Sequence, residues 1–228
     1  VEGQTGSGSP RSGSTGVAGG ADEIFATPRA VSIVTREEMD RTPARHAADL
    51  IAEVPGVTSA VNRLNPGLSV NIRGMQDFGR VNMMIDGMRQ NFVQNGHQQR
   101  NGQMYVDPEL ISGVVIERGP RTNVHGMGAI AGSVNFTTLD FEDLLDSDTD
   151  RIGVRLRANT GMGGEGNGVN FLGSAAVAGR LTDNLEVLAA YSRRDIGDYD
   201  IGKKGDVAGN AAMEFLGANG LQTIGRIR

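Results

Sequence analysis

Imidazole has the widest chemical reach of the side chains present, and the sequence holds three: His46, His97 and His125. A neutral imidazole near pH 7 can take a proton or ligate a metal. His97 stands in the stretch Gln90-Asn91-Phe92-Val93-Gln94-Asn95-Gly96-His97-Gln98-Gln99-Arg100-Asn101-Gly102, a polar, glycine-bounded loop, and by residue type alone it reads as a surface histidine. His46, in a polar helix start, is expected to face solvent. There is no cysteine, which removes disulfides and thiolate metal sites and leaves the redox compartment unread. Met83, Met84, Met88 and Met104 are potential soft ligands, but methionine commonly fills irregular core space, and no metal role is assigned to them.

Other catalytic chemistry finds little support. Asp86-Gly87 and Gly126-Met127-Gly128 lack the Gly-Lys-Ser/Thr ending of a phosphate loop, and neither a nucleophile elbow nor a His-Glu-x-x-His zinc motif occurs. No carboxylate pair has a defensible acid-base geometry, so an enzyme is not expected. The net charge of −5 and the absence of a Lys/Arg stripe argue against nucleic-acid binding. Arg73, Glu117 and Arg118 are different in kind: they are charges in strand-like surroundings, costly unless paired.

The elements that position these residues are short. From Val114 to Thr137 a β-run is stopped by Gly119-Pro120, a bend follows with Gly126, Gly128 and Gly132, and a second β-run closes a hairpin-like unit. Upstream, Ala30 to Thr35 reads as a strand, Arg36 to Asp40 as a helical turn capped by Thr35, and Arg45 to Glu53 as helical spacing ended by Pro55-Gly56. Val57 to Val61 and Ser69 to Arg73 alternate as strands around Asn65-Pro66-Gly67, and Val81 to Ile85 is a buried strand meeting a tight turn at Asp86-Gly87. Pro108 to Ile111 is a turn of helix before the strand 113–118. The result is an α+β globule.

Residues 1–20 are rich in Gly, Ser and Thr and cannot bury enough surface to offset ordering entropy, so they read as a flexible arm. Glycine overall, 34 of 228 residues, is about twice the usual ~7% without collagen's period. After Asp140 the character changes. Residues 141–150 read as an acidic hinge, and 152–159, 169–179 and 185–194 alternate with period two, as bilayer-crossing strands of a barrel do. No stretch reaches the ~20 apolar residues of a membrane helix, and a signal peptide is read as absent or removed. Residues 151–228 number 78 (228 − 150), while eight strands of about ten residues would use them all without turns, so a barrel begun here is expected to be incomplete.

Asn71-Ile72-Arg73-Gly74, Met84-Ile85-Asp86-Gly87-Met88-Arg89, Ile116-Glu117-Arg118-Gly119-Pro120 and Gly126 to Asn135 occur in this order after Pro28 to Thr35, Ala48-Asp49-Leu50-Ile51 and Pro55-Gly56-Val57. Over roughly residues 24–138 this series resembles the plug of TonB-dependent outer-membrane receptors. The resemblance implies a plug (21–140) followed by the first antiparallel strands of a transmembrane β-barrel of about 22 strands. It places the chain in the bacterial outer membrane, in contact with lipid, with the arm in the periplasm pairing with TonB by strand addition.

Within that family, Gln-Asn-Phe followed by Gly-His, Asn-Gly and Asp-Pro-Glu-Leu is similar to the haem-uptake branch, whose members include receptors that take haem from a haemophore or haemoprotein. The resemblance then implies that His97 ligates the iron of transported haem, with a second ligand from a barrel loop. Arg100 would meet a propionate, and Phe92 and Tyr105 would contact the porphyrin face. Arg73, Glu117 and Arg118 would seat the plug against barrel carboxylates, and His125 would be structural. A siderophore or other metal-chelate receptor has the same architecture without needing His97. A soluble periplasmic interaction module would explain the first 140 residues but not the alternating tail.

Overall fold

The computed structural model describes residues 30–41, 44–59, 61, 66–76, 80–90, 103–120, 128–145, 150–162, 169–182, 185–195 and 220–227. A five-stranded mixed sheet organises the first half. Its strands are β1 (Ala30–Val34), β4 (Val81–Ile85), β5 (Met88–Arg89), β6 (Ile111–Arg118) and β7 (Gly132–Thr138), in the order β1-β6-β7-β4-β5. β6 is an interior strand, between β1 and β7: Ile111, Val114, Val115 and Ile116 are buried, as a run of β-branched residues covered on both faces should be. β7 pairs antiparallel with β6 and parallel with β4, so the chain between β4 and β7 must cross over. A separate two-stranded ribbon joins β2 (Val57–Ser59) to β3 (Val70–Ile72). The expected α+β globule is present.

Two backbone positions fix the local geometry. Asp86 (φ 50°) and Gly87 (φ 77°) both have positive φ, the pattern of a two-residue turn whose twist matches a hairpin, and they join β4 to β5. Asp86 holds that turn against β7, accepting from the Thr138 amide (2.9 Å) and hydroxyl (2.7 Å), while the Gly87 amide donates to Asn135 Oδ1 at 2.8 Å. At the other end of the sheet Gly132 has φ 143°, and a Cβ there would overlap the Glu117 carbonyl oxygen, so only glycine lets β7 start this close to β6.

One helix, α1 (Arg36–Arg41), follows β1 after Thr35, whose hydroxyl accepts from the Glu38 amide at 3.4 Å. Met39 from α1 and Ala47, Leu50, Ile51 and Val54 pack with Val70, Ile72, Ile116, Val134 and Phe136 into the main core. Fully burying one such Leu or Ile stabilises the fold by about 1.5–3 kcal/mol. The segment read as helical between Arg45 and Glu53 is a 3₁₀ turn over Ala47–Ile51, and His46 corrects an expectation. It is buried rather than solvent-facing, because its Nδ1 accepts from the Ala48 amide at 3.0 Å while Asp49 Oδ2 accepts from the His46 amide at 2.9 Å. Histidine thus serves as the cap of the turn.

The second half is an antiparallel sheet of β8 (Ile152–Met162), β9 (Val169–Thr182), β10 (Leu185–Asp195) and β11 (Gly220–Ile227), in the order β11-β10-β9-β8. The first three match the alternating stretches read from sequence, each starting where expected and running one to three residues beyond its expected end. β11 was not foreseen. The acidic stretch before them is, over Phe141–Asp143, a 3₁₀ turn capped by Asp140, with Phe141 and Leu145 buried. Asp143 closes that cap by accepting from the Asp140 amide, and burial pushes its carboxyl above the usual range.

The His46 cap gives a test. His46→Ala should cost about 1 kcal/mol locally and raise the exchange rate of the Ala48 amide about fivefold in hydrogen-exchange measurements on the full chain, whereas His46→Asn should largely preserve protection.

Candidate functional site

The inner face of the four-stranded sheet is read from its register. Along β8, Ile152, Val154 and Leu156 point away from the globule and are 73%, 64% and 75% exposed, while Gly153, Arg155 and Arg157 point toward it. Arg157, Ser174 and Ser192 lie side by side across β8, β9 and β10, one polar row on the inner face. The next rows are Arg155, Ala176, Ala190 and then Gly153, Ala178, Leu188. The small side chains of those rows leave room for Leu110, Leu139, Phe141 and Leu145, which form a second apolar cluster with the sheet.

Into the polar row reaches the turn Asp107-Pro108-Glu109-Leu110. Asp107 is its cap, accepting from the Glu109 amide at 2.9 Å, and proline in the first position suits a turn start. Ser174 donates to Glu109 Oε2 at 2.7 Å, and Ser192 donates to Asp107 Oδ2 at 2.9 Å. Arg157 stands 3.7 Å from Glu109, and Arg194 stands 3.5 Å from Asp107. Glu109 is almost fully buried. Its charge is tolerable there because donors surround it.

Beside this pair, Asp40 of α1 collects three guanidinium groups. Arg36 Nε, Arg155 Nη2 and Arg157 Nη1 are each 2.9 Å from its Oδ1. Arg36 also donates from Nη1 to the carbonyls of Pro108 and Ile111, so one buried arginine joins α1 to the start of β6. Burial, then the nearby Arg155, pulls the Arg36 pKa down to about 10, against the opposing pull of Asp40; it remains charged at neutral pH. Acidic groups of the globule thus meet basic groups of the sheet, a seam that sequence reasoning missed. The period-two signal placed Arg155 and Arg157 on one face, but nothing local named their partners.

The sequence-derived residues are placed unevenly. His97, Arg100 and Phe92 lie outside the described residues, as does His125. The segment that carries His97 is anchored on both sides: the Gln90 amide donates to the Met83 carbonyl at 2.9 Å, and Met104 and Leu68 exchange backbone hydrogen bonds at 2.7 and 2.9 Å. Since β5 runs antiparallel to β4, the chain leaves it toward the end of the sheet that carries Arg80, Gly119 and Gly132. Tyr105 is 47% exposed just past the second anchor.

Arg73 has φ 52° beside Gly74 and is exposed. Arg118 donates to the carbonyls of Pro55 (2.7 Å) and Ala30 (3.3 Å) and to Ser32 Oγ (2.8 Å), and Ser133 donates to Glu117 Oε2 at 3.3 Å. These described contacts stay within the globule. The described ion pairs that cross to the four-stranded sheet come from Asp40, Asp107 and Glu109.

Residues 23–133 match the family model of the TonB-dependent Receptor Plug Domain. The chain carries the plug of a TonB-dependent receptor. Among solved structures it is similar to a double mutant of the Serratia marcescens hemophore receptor HasR in complex with its hemophore HasA and heme, at 44% identity and TM-score 0.68, over 78% of this chain and 26% of that one. Among curated relatives it is 31% identical to a hemin receptor of Yersinia pestis, over 76% of this chain and 24% of the relative. It is also 33% identical to TonB-dependent heme receptor A of Haemophilus ducreyi, over 50% of this chain and 15% of the relative. The chain therefore spans about a quarter or less of the relatives' lengths. The globule is the plug, with its mixed sheet and short helical turns, and the four-stranded sheet is the wall against which it packs.

The seam can be tested at Glu109. Glu109→Ala leaves Ser174 and Arg157 facing a gap and should cost about 3 kcal/mol, seen as faster exchange of the Leu110 and Ile111 amides in the full-length receptor. Glu109→Gln, which still accepts from Ser174, should lose clearly less.

Proposed function

We propose that the chain belongs to an outer-membrane receptor that imports haem, received from a haemophore or haemoprotein, with energy supplied through TonB. The observation that carries this reading is the likeness, across plug and wall together, to a haemophore receptor caught with haemophore and haem; the relatives named for haem or hemin point the same way. The wall supports the membrane part of the proposal. An outer face of exposed Ile152, Val154 and Leu156 over an inner face of Arg155 and Arg157 inverts the pattern of a soluble sheet and suits lipid outside and a polar lumen inside. No described helix is long and apolar enough to cross a membrane, which says nothing of strands.

In this reading His97 presents a neutral imidazole to the haem iron from the plug segment between Gln90 and Met104, with Tyr105 beside the porphyrin and Arg100 meeting a propionate. Arg73, Glu117 and Arg118 help hold the plug in its seat. The arm of residues 1–20 pairs with TonB, and force on it is passed on toward β1. No covalent step is required: iron exchanges ligands, and the plug moves to open a path.

Haem titration of the purified full-length receptor, followed by Soret absorbance, tests the reading. Wild type should give a ligand-shifted Soret band. His97→Ala should move that band and weaken binding by roughly tenfold or more, on the scale of lost metal-site interactions. A wild-type receptor that leaves the Soret band of free haem unchanged would remove haem as the cargo, and an unchanged titration in the variant would remove His97.

A further inference from the structure

The cations around Asp40 outnumber what a seat requires. Arg155 and Arg157 lie two residues apart on the inner face of β8, and a single carboxylate oxygen of Asp40 holds both at 2.9 Å. A second bond runs from Arg155 to Asp40 Oδ2 at 3.3 Å. Asp40 is itself 44% exposed at its side chain, whereas the two arginines are 17% and 18% exposed. The carboxylate stands at the open side of a pair of wall cations, in the position a carboxylate ligand would take.

The members of this contact differ in what holds them. β8 is paired with β9 along its full length, from Ile152↔Gly179 to Met162↔Val169. Asp40 sits on a six-residue helix that follows β1 after one residue, and β1 is an edge strand bonded on one side, to β6. Drawing β1 away from β6 by its leading end carries α1 with it once Arg36 gives up the Pro108 and Ile111 carbonyls and Met39 leaves the core, taking Asp40 and Arg36 together. Arg155 and Arg157 then each lose the nearest carboxylate and keep their charge. Glu109, 3.7 Å from Arg157, and Asp143, which also faces Arg36 and Arg155, remain nearby and limit how tightly a new anion is held. A transport path needs that combination, attractive enough to enter and weak enough to leave.

We propose that Asp40 is a placeholder and that Arg155 and Arg157 form a transit site for the carboxylates of the porphyrin, exposed when α1 is withdrawn. The proposal rests on the haem reading above. Two guanidinium forks on one strand face suit a cargo with two carboxylates, because each fork can donate two parallel hydrogen bonds. It also accounts for the polarity of the seam: the plug side carries the same chemical group as the cargo.

The test compares three full-length receptors in cells, with haem capture measured by Soret titration of the purified proteins and haem delivery measured as TonB-dependent uptake. Arg155→Gln with Arg157→Gln should capture haem as wild type does and deliver it about tenfold more slowly, the scale of losing one charge-assisted hydrogen bond. Arg155→Lys with Arg157→Lys should recover most of the rate. Asp40→Asn, which frees the arginines without removing them, should deliver at or above the wild-type rate. Undiminished delivery in the glutamine pair overturns the proposal. So does an equal loss in Asp40→Asn, which would leave the arginines a seating role alone, and so does lost capture in the glutamine pair. Absence of a Soret response in wild type would instead defeat the haem reading, and this proposal with it.

Discussion

Buried carboxylates facing arginines across a sheet surface are the constraint on which the arrangement of this chain depends. Asp107 and Glu109 are buried charges, and a buried carboxylate without donors would either destabilise the fold or stay protonated. Here their donors come from another part of the chain, Ser174, Ser192, Arg157 and Arg194, all on the inner face of the wall. The globule is therefore not electrostatically complete by itself. Its acidic turn requires the wall, and the inward arginines of the wall require the turn.

Local chemistry makes that dependence possible. Proline at the first position and Asp107 at the cap set a single 3₁₀ turn, which ends as β6 begins and so presents two carboxylates at the start of that interior strand. Arg36 locks α1 to the same place through the Pro108 and Ile111 carbonyls, bringing Asp40 alongside. The wall meets this surface with a row of Arg, Ser and Ser and then with small residues that accept Phe141 and the leucines around it. Apolar contact gives the plug adhesion without direction; the polar row gives it register. A joint of this kind can also part, since water and small ions can replace each hydrogen bond once the surfaces separate.

Much of this was legible in the sequence where the signal is local. The Asp86-Gly87 turn, the strand before Gly119-Pro120 and the three alternating stretches after Arg151 each follow from a few adjacent residues, and the structure holds all of them. The ordered motifs from Asn71 to Asn135 carried the family. What escaped depends on distant partners. Histidine is an uncommon cap, so sequence alone reads His46 as solvent-facing, whereas in the fold it accepts from the Ala48 amide. β11 has glycines at Gly220 and Gly225 and a weak apolar alternation, and only its pairing with β10 makes it a strand. Asp40, Asp107 and Glu109 look like ordinary surface acids, because the wall arginines that they meet lie 48 or more positions away. The described bonds of Arg118 join β1 and the Pro55 turn to β6, contacts that no local signal announces.

The central claim is that plug and wall are one joint that must part for cargo to pass. Cysteines placed at Asp107 and Ser192, whose side chains meet at 2.9 Å in a chain with no cysteine of its own, allow the joint to be bridged by a short thiol-reactive linker in the full-length receptor. The account predicts that the bridged receptor still captures haem but delivers none, and that releasing the linker restores delivery. Delivery by the bridged receptor at the unbridged rate would contradict it.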